Sequence, residues 1–179
     1  MIYMFLADGF EEVEALCPLD VLRRAGLEVT TVGVGGKDTI VGAHNIVVQA
    51  DIPDVMYRDS DPDMIILPGG MPGSTNLDKA ECVEKYIKLA LENDKLICAI
   101  CAAPFILGKR GILKDKRATC FPGFENQLEG ATVVDAGVVR DGNIITGRAM
   151  GSAHDFALTI LEALQGKEAA DKMRKTIIL

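Results

Sequence analysis

A cysteine at the end of an apolar run, Cys101, is the residue whose position most favours chemistry. Residues 95–100 predict a buried strand, and a short helix with Pro104 in its first turn is predicted over residues 103–109. A cysteine between a strand and a helix has the geometry of a nucleophile elbow, although the G-x-S-x-G form is absent. A helix N-terminus stabilises a thiolate, so we expect a lowered pKa for Cys101. The small neighbour Ala102 permits a tight turn and the close approach of a substrate. A buried structural cysteine fits the same residues about equally well.

Two other stretches end at the same edge of the predicted sheet. Ligands of an open α/β sheet bind beyond the carboxyl ends of its strands, so their convergence favours a site there. Gly69-Gly70 follows the strand over 63–67 and offers backbone N–H groups for an oxyanion, although an ordinary turn has the same residues. Glu14 lies early in the first helix among apolar neighbours, where a carboxyl tends to stay protonated and can exchange a proton with a thiol. The alternative for Glu14 is a solvated helix carboxylate.

The remaining titratable residues give weaker signals. We interpret Glu11, Glu12 and Asp20 as solvated helix carboxylates. The two histidines, His44 in an edge loop and His154 in a late helix, are not placed next to Cys101, so a Cys–His dyad is not indicated.

The spacing Cys98-x-x-Cys101 matches a redox or metal motif. Cys98, however, falls inside a strand and is expected to point into the core, and no second cysteine or histidine pair follows. We therefore predict no metal site. Five cysteines with irregular spacing also do not indicate a disulfide framework.

The elements that position these residues alternate between strands and helices. This alternation predicts parallel βαβ units and one α/β domain over residues 1–179, a three-layer flavodoxin-like sandwich with a mostly parallel sheet covered on both faces. The predicted strands are 2–7, 27–34, 46–48, 63–67, 95–100, 117–121, 132–134, 138–140 and 144–146, and the predicted helices are 11–25, 80–92, 103–109, 151–164 and 168–174.

The composition excludes several classes of partner. A formal net charge of −7 without a basic stripe argues against nucleic acid. No apolar stretch approaches the ~20 residues needed to span a bilayer, and the first residues lack the basic segment of a signal peptide. We therefore expect no membrane partner and a cytoplasmic protein.

Five segments together resemble the ThiJ/PfpI superfamily, whose fold is that of the class I glutamine amidotransferases, and within it the branch of the human parkinsonism-associated oxidative-stress protein. They are A-D-G-F-E-E-V-E (7–14), V-L-R-R-A-G (21–26), L-P-G-G (67–70), A-I-C-A-A-P (99–104) and H-D-F-A-L (154–158), in family order over nearly the whole chain. The resemblance implies a flavodoxin-like homodimer. It also implies that Cys101 is a reactive, oxidisable thiol, that Glu14 hydrogen-bonds it, and that Gly69-Gly70 supplies backbone donors.

The resemblance implies activity on small aldehydes or glycated substrates, of the glyoxalase or deglycase type and without a cofactor, or a chaperone or redox-sensing role. Two departures bear on mechanism. Ala102 stands where the proteolytic branch has histidine, which argues against a peptidase, and Phe121 stands where many close relatives have histidine before a proline. Glu14 is then the main acid–base candidate. His44 matches a position where the branch often has a basic residue near the site, so we include it among the predicted substrate-binding residues.

Three functions compete. The first is an enzyme in which Cys101 attacks an aldehyde such as methylglyoxal. The second is a redox sensor or chaperone that uses the oxidation of Cys101. The third, a flavin- or nucleotide-binding module, is disfavoured because the first strand–helix turn, Asp8 to Glu11, is acidic and repels phosphate.

Overall fold

The computed structural model describes residues 1–56 and 62–179 as a central sheet with helices on both faces. Its strands are β1 (Ile2–Leu6), β2 (Val29–Gly33), β3 (Thr39–Val41), β4 (Val47–Gln49), β5 (Ile52–Pro53), β6 (Met64–Leu67), β7 (Leu96–Ile100), β8 (Arg117–Ala118), β9 (Thr132–Val133), β10 (Val138–Asp141) and β11 (Ile144–Gly147). Its α-helices are α1 (Glu12–Arg24), α2 (Gly73–Lys79), α3 (Glu81–Glu92), α4 (Pro104–Gly108), α5 (Ala153–Gln165) and α6 (Lys167–Thr176).

The main sheet has the strand order β10-β11-β7-β6-β1-β2-β5. Neighbouring strands are parallel except for β10 and β11, which form an antiparallel hairpin at one edge. The carboxyl ends of β1, β6 and β7 therefore lie side by side, and the loops after them meet. The predicted mostly parallel α/β sandwich is confirmed.

Alternation along the strands divides the core into two clusters. Met4 and Leu6 of β1 face the layer formed by α1 and α5, whereas Tyr3 and Phe5 face α3 and α4. All four side chains are at most 2% exposed, because helices cover both faces of the sheet. This burial on both sides explains why the strands are continuous apolar runs.

Three elements differ from the sequence-based expectation. The loop after Gly70 forms the short helix α2, which the Pro- and Gly-rich sequence around its start conceals. The excursion over residues 37–50 is a hairpin of β3 and β4 rather than a single strand. The strand predicted over 117–121 is only the two residues of β8, which pairs with β9 outside the main sheet. Among the described residues, no helix is long and apolar enough to cross a membrane.

Candidate active site

Cys101 occupies a sharp turn directly after β7. Its φ angle of +65° lies in the left-handed region, which costs a non-glycine residue about 1–2 kcal/mol. Two backbone hydrogen bonds hold this conformation: the Cys101 N–H donates to the carbonyl of Gly147 at 2.9 Å, and the Cys101 carbonyl accepts from the N–H of Phe121 at 2.8 Å. The side chain is 9% exposed. A strained backbone at the end of a central strand is the arrangement of a nucleophile elbow.

Glu14 is a buried carboxyl beside this turn. It is 1% exposed, and its Oε2 atom has no hydrogen-bond partner among the described residues. Helix α1 fixes its position, because the Glu11 carboxylate caps the helix and accepts the Glu14 N–H at 2.7 Å. Burial raises the pKa of Glu14 to about 7, although the nearby Cys101 thiol acts in the opposite direction. The carboxyl is therefore divided between its two protonation states near neutral pH.

Gly69 is the position that allows the carboxyl and the cysteine to meet. A Cβ atom added at Gly69 would lie 2.3 Å from Glu14 Oε2 and 2.5 Å from Cys101 Cβ, well inside van der Waals contact. Gly70, with a φ angle of +90°, packs against the backbone of the loop after β1, where its own Cβ would lie 2.3 Å from the nitrogen of Glu11. The two glycines are thus required for close packing, and a bulkier residue at position 69 would overlap both reacting groups.

The pKa of the Cys101 thiol is raised, whereas a helix N-terminus is expected to lower it. Burial and the neighbouring Glu14 carboxyl raise the pKa of Cys101 to about 12, and the backbone N–H groups of Gly70 and Ala102 oppose this rise. The expected lowering of the pKa is wrong for two reasons. Helix α4 begins only at Pro104 and has five residues, so its dipole is weak at the sulfur. An ionised carboxyl beside a thiol also disfavours the thiolate.

These pKa shifts define what the pair can do. At neutral pH the thiol carries its proton, and Glu14 is the adjacent group able to accept it. Attack by the sulfur can then proceed with transfer of the thiol proton to Glu14, without a stable thiolate. The Gly70 and Ala102 N–H groups, which lower the thiol pKa, are donors for negative charge near the sulfur.

The structure places His44 with Glu12 rather than with the thiol. The His44 Nδ1 atom lies 2.7 Å from Glu12 Oε2, and the His44 backbone N–H donates to Glu12 Oε1, also at 2.7 Å. Glu12 is 4% exposed, so its interpretation as a solvated carboxylate is wrong. The hairpin of β3 and β4 delivers this partner from 32 residues away, and nothing in the local sequence signals it. Glu11, Glu12 and His44 are also a group of possible metal ligands among the described residues. The Glu11 carboxylate already accepts the Glu14 N–H, and the Glu12 carboxylate accepts the His44 N–H.

The second histidine and the other cysteines lie elsewhere. His154 is exposed on α5 and lines a surface groove with Cys17, as expected for a residue away from Cys101. Cys98 is fully buried in β7, which confirms its expected core position. Burial raises the thiol pKa of Cys17 and Cys120 to about 11. All five cysteines are free.

Sequence reasoning missed one residue near the carboxyl. The backbone of Met150, in a short 3₁₀ helix over Met150–Ser152, lies close enough to Glu14 to lower its pKa. This helix leads into α5, and its sequence carries no cap or motif that marks it. Phe121, by contrast, lies beside Cys101 as the sequence comparison with histidine-bearing relatives implies.

The fold and the site together define a class of protein: a flavodoxin-like α/β sandwich with a cysteine elbow next to a buried glutamate. Comparison with known proteins identifies the family. The DJ-1/PfpI family model matches residues 1–163, and this chain belongs to that family.

Relatives with known names cover nearly the full length. Protein dj-1beta of Drosophila melanogaster is 36% identical over 178 residues, covering 98% of this chain and 95% of the relative. The glutathione-independent glyoxalase DJR-1.2 of Caenorhabditis elegans is 33% identical over 174 residues, covering 94% and 90%.

A solved structure shows the same fold. A cysteine-to-alanine mutant of the DJ-1 superfamily protein STM1931 from Salmonella typhimurium superposes with a TM-score of 0.94 at 35% identity, covering 99% of this chain and 97% of the other.

Proposed function

We propose that this protein is a cofactor-free, cysteine-dependent glyoxalase or deglycase that acts on reactive aldehydes such as methylglyoxal. The observation that carries the proposal is the buried Glu14 carboxyl, which lies beside Cys101 and has one oxygen without a hydrogen-bond partner in the described part of the chain. A buried acid with a pKa of about 7 next to a strained cysteine is suited to repeated proton transfer at neutral pH. One relative, at 33% identity, bears the name glutathione-independent glyoxalase.

The proposed reaction needs only the thiol, the carboxyl and water. The Cys101 sulfur adds to the aldehyde carbon of a 2-oxoaldehyde, its proton passes to Glu14, and a hemithioacetal forms. In forming the hemithioacetal, Glu14 gives that proton to the former aldehyde oxygen and becomes a carboxylate again. Glu14 then takes the proton from the former aldehyde carbon, while the neighbouring carbonyl oxygen takes up a proton from water to give an enediol. Glu14 next gives its proton to the neighbouring carbon, and the hydroxyl on the sulfur-bearing carbon releases its proton to water. This leaves a 2-hydroxyacyl thioester on Cys101. Hydrolysis releases the 2-hydroxy acid and regenerates the thiol, so the net change is the addition of one water.

The proposal is tested with purified protein and methylglyoxal, with D- and L-lactate measured as products. We expect wild-type protein to form lactate, Cys101→Ala to form none, and Glu14→Gln to lose about 10²–10⁴-fold in kcat/KM. Cys82→Ala is the matched control, because Cys82 is 8% exposed, close to the 9% of Cys101, but belongs to the other core cluster and contacts Asp54. Lactate formation that is equal in wild type and Cys101→Ala would remove the enzyme assignment.

A redox-sensing or chaperone role is the second candidate. The favouring observation is again Glu14, because a protonated carboxyl donates a hydrogen bond to an oxygen on an oxidised sulfur and stabilises it. Mass spectrometry after graded peroxide should show Cys101 gaining two oxygens before the other four cysteines. Glu14→Gln, which retains a hydrogen-bond donor, should preserve this order, and Glu14→Leu should abolish it. Oxidation of all five cysteines at similar rates would count against this role.

We also propose that the protein acts as a homodimer in the cytoplasm. The free state of all five cysteines fits a reducing compartment. Small aldehydes or glycated molecules are the proposed partners of the site, with neither nucleic acid nor membrane involved.

A further inference from the structure

Two carboxylates and one imidazole form a cluster at the start of α1 that the proposed reaction does not use. Glu11 caps the helix, Glu12 is its first residue, and His44 comes from the turn between β3 and β4. One potential ligand atom from each side chain lies within 4.8 Å of the other two. Ligand atoms that are about 2.0–2.2 Å from one Zn²⁺ lie up to about 4 Å apart, so small side-chain rotations bring all three onto one ion.

Backbone N–H groups orient both carboxylates. Glu11 Oε2 accepts the Glu14 N–H at 2.7 Å, and Glu12 Oε1 accepts the His44 N–H at 2.7 Å. The other Glu11 oxygen accepts no hydrogen bond among the described residues, and Glu12 Oε2 lies 2.7 Å from the His44 ring nitrogen Nδ1. Each carboxylate therefore has one oxygen fixed by the backbone and a second oxygen that faces the cluster. Outer-shell hydrogen bonds of this kind hold metal ligands in place.

The cluster is buried on one side and open on the other. The Glu12 side chain is 5% exposed, whereas the His44 side chain is 70% exposed. The backbone of the β3–β4 turn packs directly on Glu12, because a Cβ added at Gly42 would lie 2.3 Å from Glu12 Oε1. A metal ion held by the three side chains would then have protein ligands beneath it and a further coordination position open to water, as in three-ligand zinc sites.

The charges of the cluster favour a cation. Within the described ranges, His44 is the only basic side chain in ion-pair contact with Glu11 or Glu12. The N-terminus of α1 opposes a cation with about half an elementary charge, but the two carboxylates together carry about two negative charges. The balance at this point of the surface is therefore negative, and a divalent cation would neutralise it.

We propose that Glu11, Glu12 and His44 bind a divalent transition-metal ion, with Zn²⁺ as the best match. An imidazole with two carboxylates suits Zn²⁺, whereas Mg²⁺ and Ca²⁺ prefer shells made of oxygen alone. The metal takes the place of the hydrogen shared by His44 Nδ1 and Glu12 Oε2, and it joins the β3–β4 hairpin to α1. The sequence-based prediction of no metal site considered cysteine spacing, which says nothing about a histidine 32 residues from its partner.

The test uses metal-free protein, prepared by chelation, and does not depend on turnover at Cys101. Co²⁺ is added as a spectroscopic probe, and Zn²⁺, Mg²⁺ or Ca²⁺ is then added in competition. We expect one Co²⁺ per chain with visible d–d bands and without the near-ultraviolet charge-transfer band of a cobalt–thiolate bond. Zn²⁺ should displace Co²⁺, and Mg²⁺ and Ca²⁺ should not.

Variants assign the ligands. His44→Ala should weaken Zn²⁺ binding by at least about 100-fold, because loss of an outer-shell partner alone costs about 10–100-fold. Glu11→Gln and Glu12→Gln keep an oxygen for the backbone N–H groups but lose the carboxylate charge, so they should also weaken binding. The matched control is His154→Ala, which removes the other histidine, exposed on α5, and should keep the wild-type affinity. Cys101→Ala should keep it as well.

Two results overturn this inference. One is the absence of Co²⁺ and Zn²⁺ binding, or an affinity that is the same in wild type and His44→Ala. The other is a cobalt–thiolate band that disappears in Cys101→Ala, which would assign the metal to the thiol. The two glutamine variants decide the outcome if circular dichroism shows that His44→Ala does not fold. Lactate formation is measured separately, so a failure of the proposed function leaves the metal site standing, and the reverse also holds.

Discussion

Replacing Glu14 by glutamine should change how the stability of the protein depends on pH. Glutamine has nearly the same shape but cannot ionise. In the wild type, burial raises the pKa of Glu14 from its ordinary value of 4.5 to about 7, so the folded protein holds this proton at pH values where the unfolded chain has lost it. Stability falls with pH wherever the folded state binds more protons than the unfolded state. The wild type should therefore lose stability between about pH 4.5 and 7 through this group, with no further change above.

The size of the effect follows from the same two values. Each pKa unit corresponds to about 1.36 kcal/mol, so ionising Glu14 in the folded protein costs about 3 kcal/mol. The glutamine variant does not carry this cost. The free energy of unfolding of Glu14→Gln minus that of the wild type should then rise by about 3 kcal/mol from pH 4.5 to 8.

Urea unfolding followed by circular dichroism at pH 4.5, 5.5, 6.5, 7.5 and 8 measures this difference. Taking the difference between the two proteins cancels the pH-dependent contributions of groups that titrate alike in both, including His44 and the aspartates. A difference that is constant within about 0.5 kcal/mol, or that falls with pH, would refute the assignment of a raised pKa to Glu14 and with it the proton-transfer role.

Three further outcomes follow from other contacts. Gly69→Ala should destabilise the protein by about 3 kcal/mol in urea unfolding, because the new Cβ overlaps Glu14 and Cys101. Gly151→Ala is the control: its new Cβ has nothing within 4 Å, so it should change stability by less than about 1 kcal/mol. Equal effects of the two variants would contradict the close packing at Gly69. Glu12→Ala should lower the free energy of unfolding at pH 7, because the His44 backbone N–H and ring lose their hydrogen-bond acceptor. A neutral result in urea unfolding would show that this contact is not formed in solution. Light scattering should give twice the mass of the chain, and a monomer across the micromolar range would contradict the proposed dimer.

The cysteine elbow could be predicted because its signals are local. The buried run of β7 ends at Cys101, and a tight turn with small residues follows within three positions. Helix α1 and the glycines after β6 were predictable for the same reason, and the topology of parallel strands then brings Glu14 and Gly69 to the same edge.

What could not be predicted depends on contacts between distant segments. Burial and Glu14 set the pKa of the thiol, whereas the adjacent helix N-terminus predicts a shift in the opposite direction. The pairing of Glu12 with His44 requires a hairpin that folds back over α1, and the two residues show no periodic or motif relation. The position of Met150 likewise depends on how the segment before α5 packs against the site.

The pH dependence of kcat/KM for methylglyoxal, measured from pH 5 to 9 in wild type and Glu14→Gln, tests the central claim that Glu14 accepts the proton of Cys101. Glu14 must be ionised to accept a proton, so activity should rise with pH, about tenfold per unit well below the pKa, and level off above about pH 7. In Glu14→Gln this inflection should disappear together with most of the activity. A wild-type profile that is flat across this range, or that keeps its inflection near pH 7 in the glutamine variant, would contradict the claim.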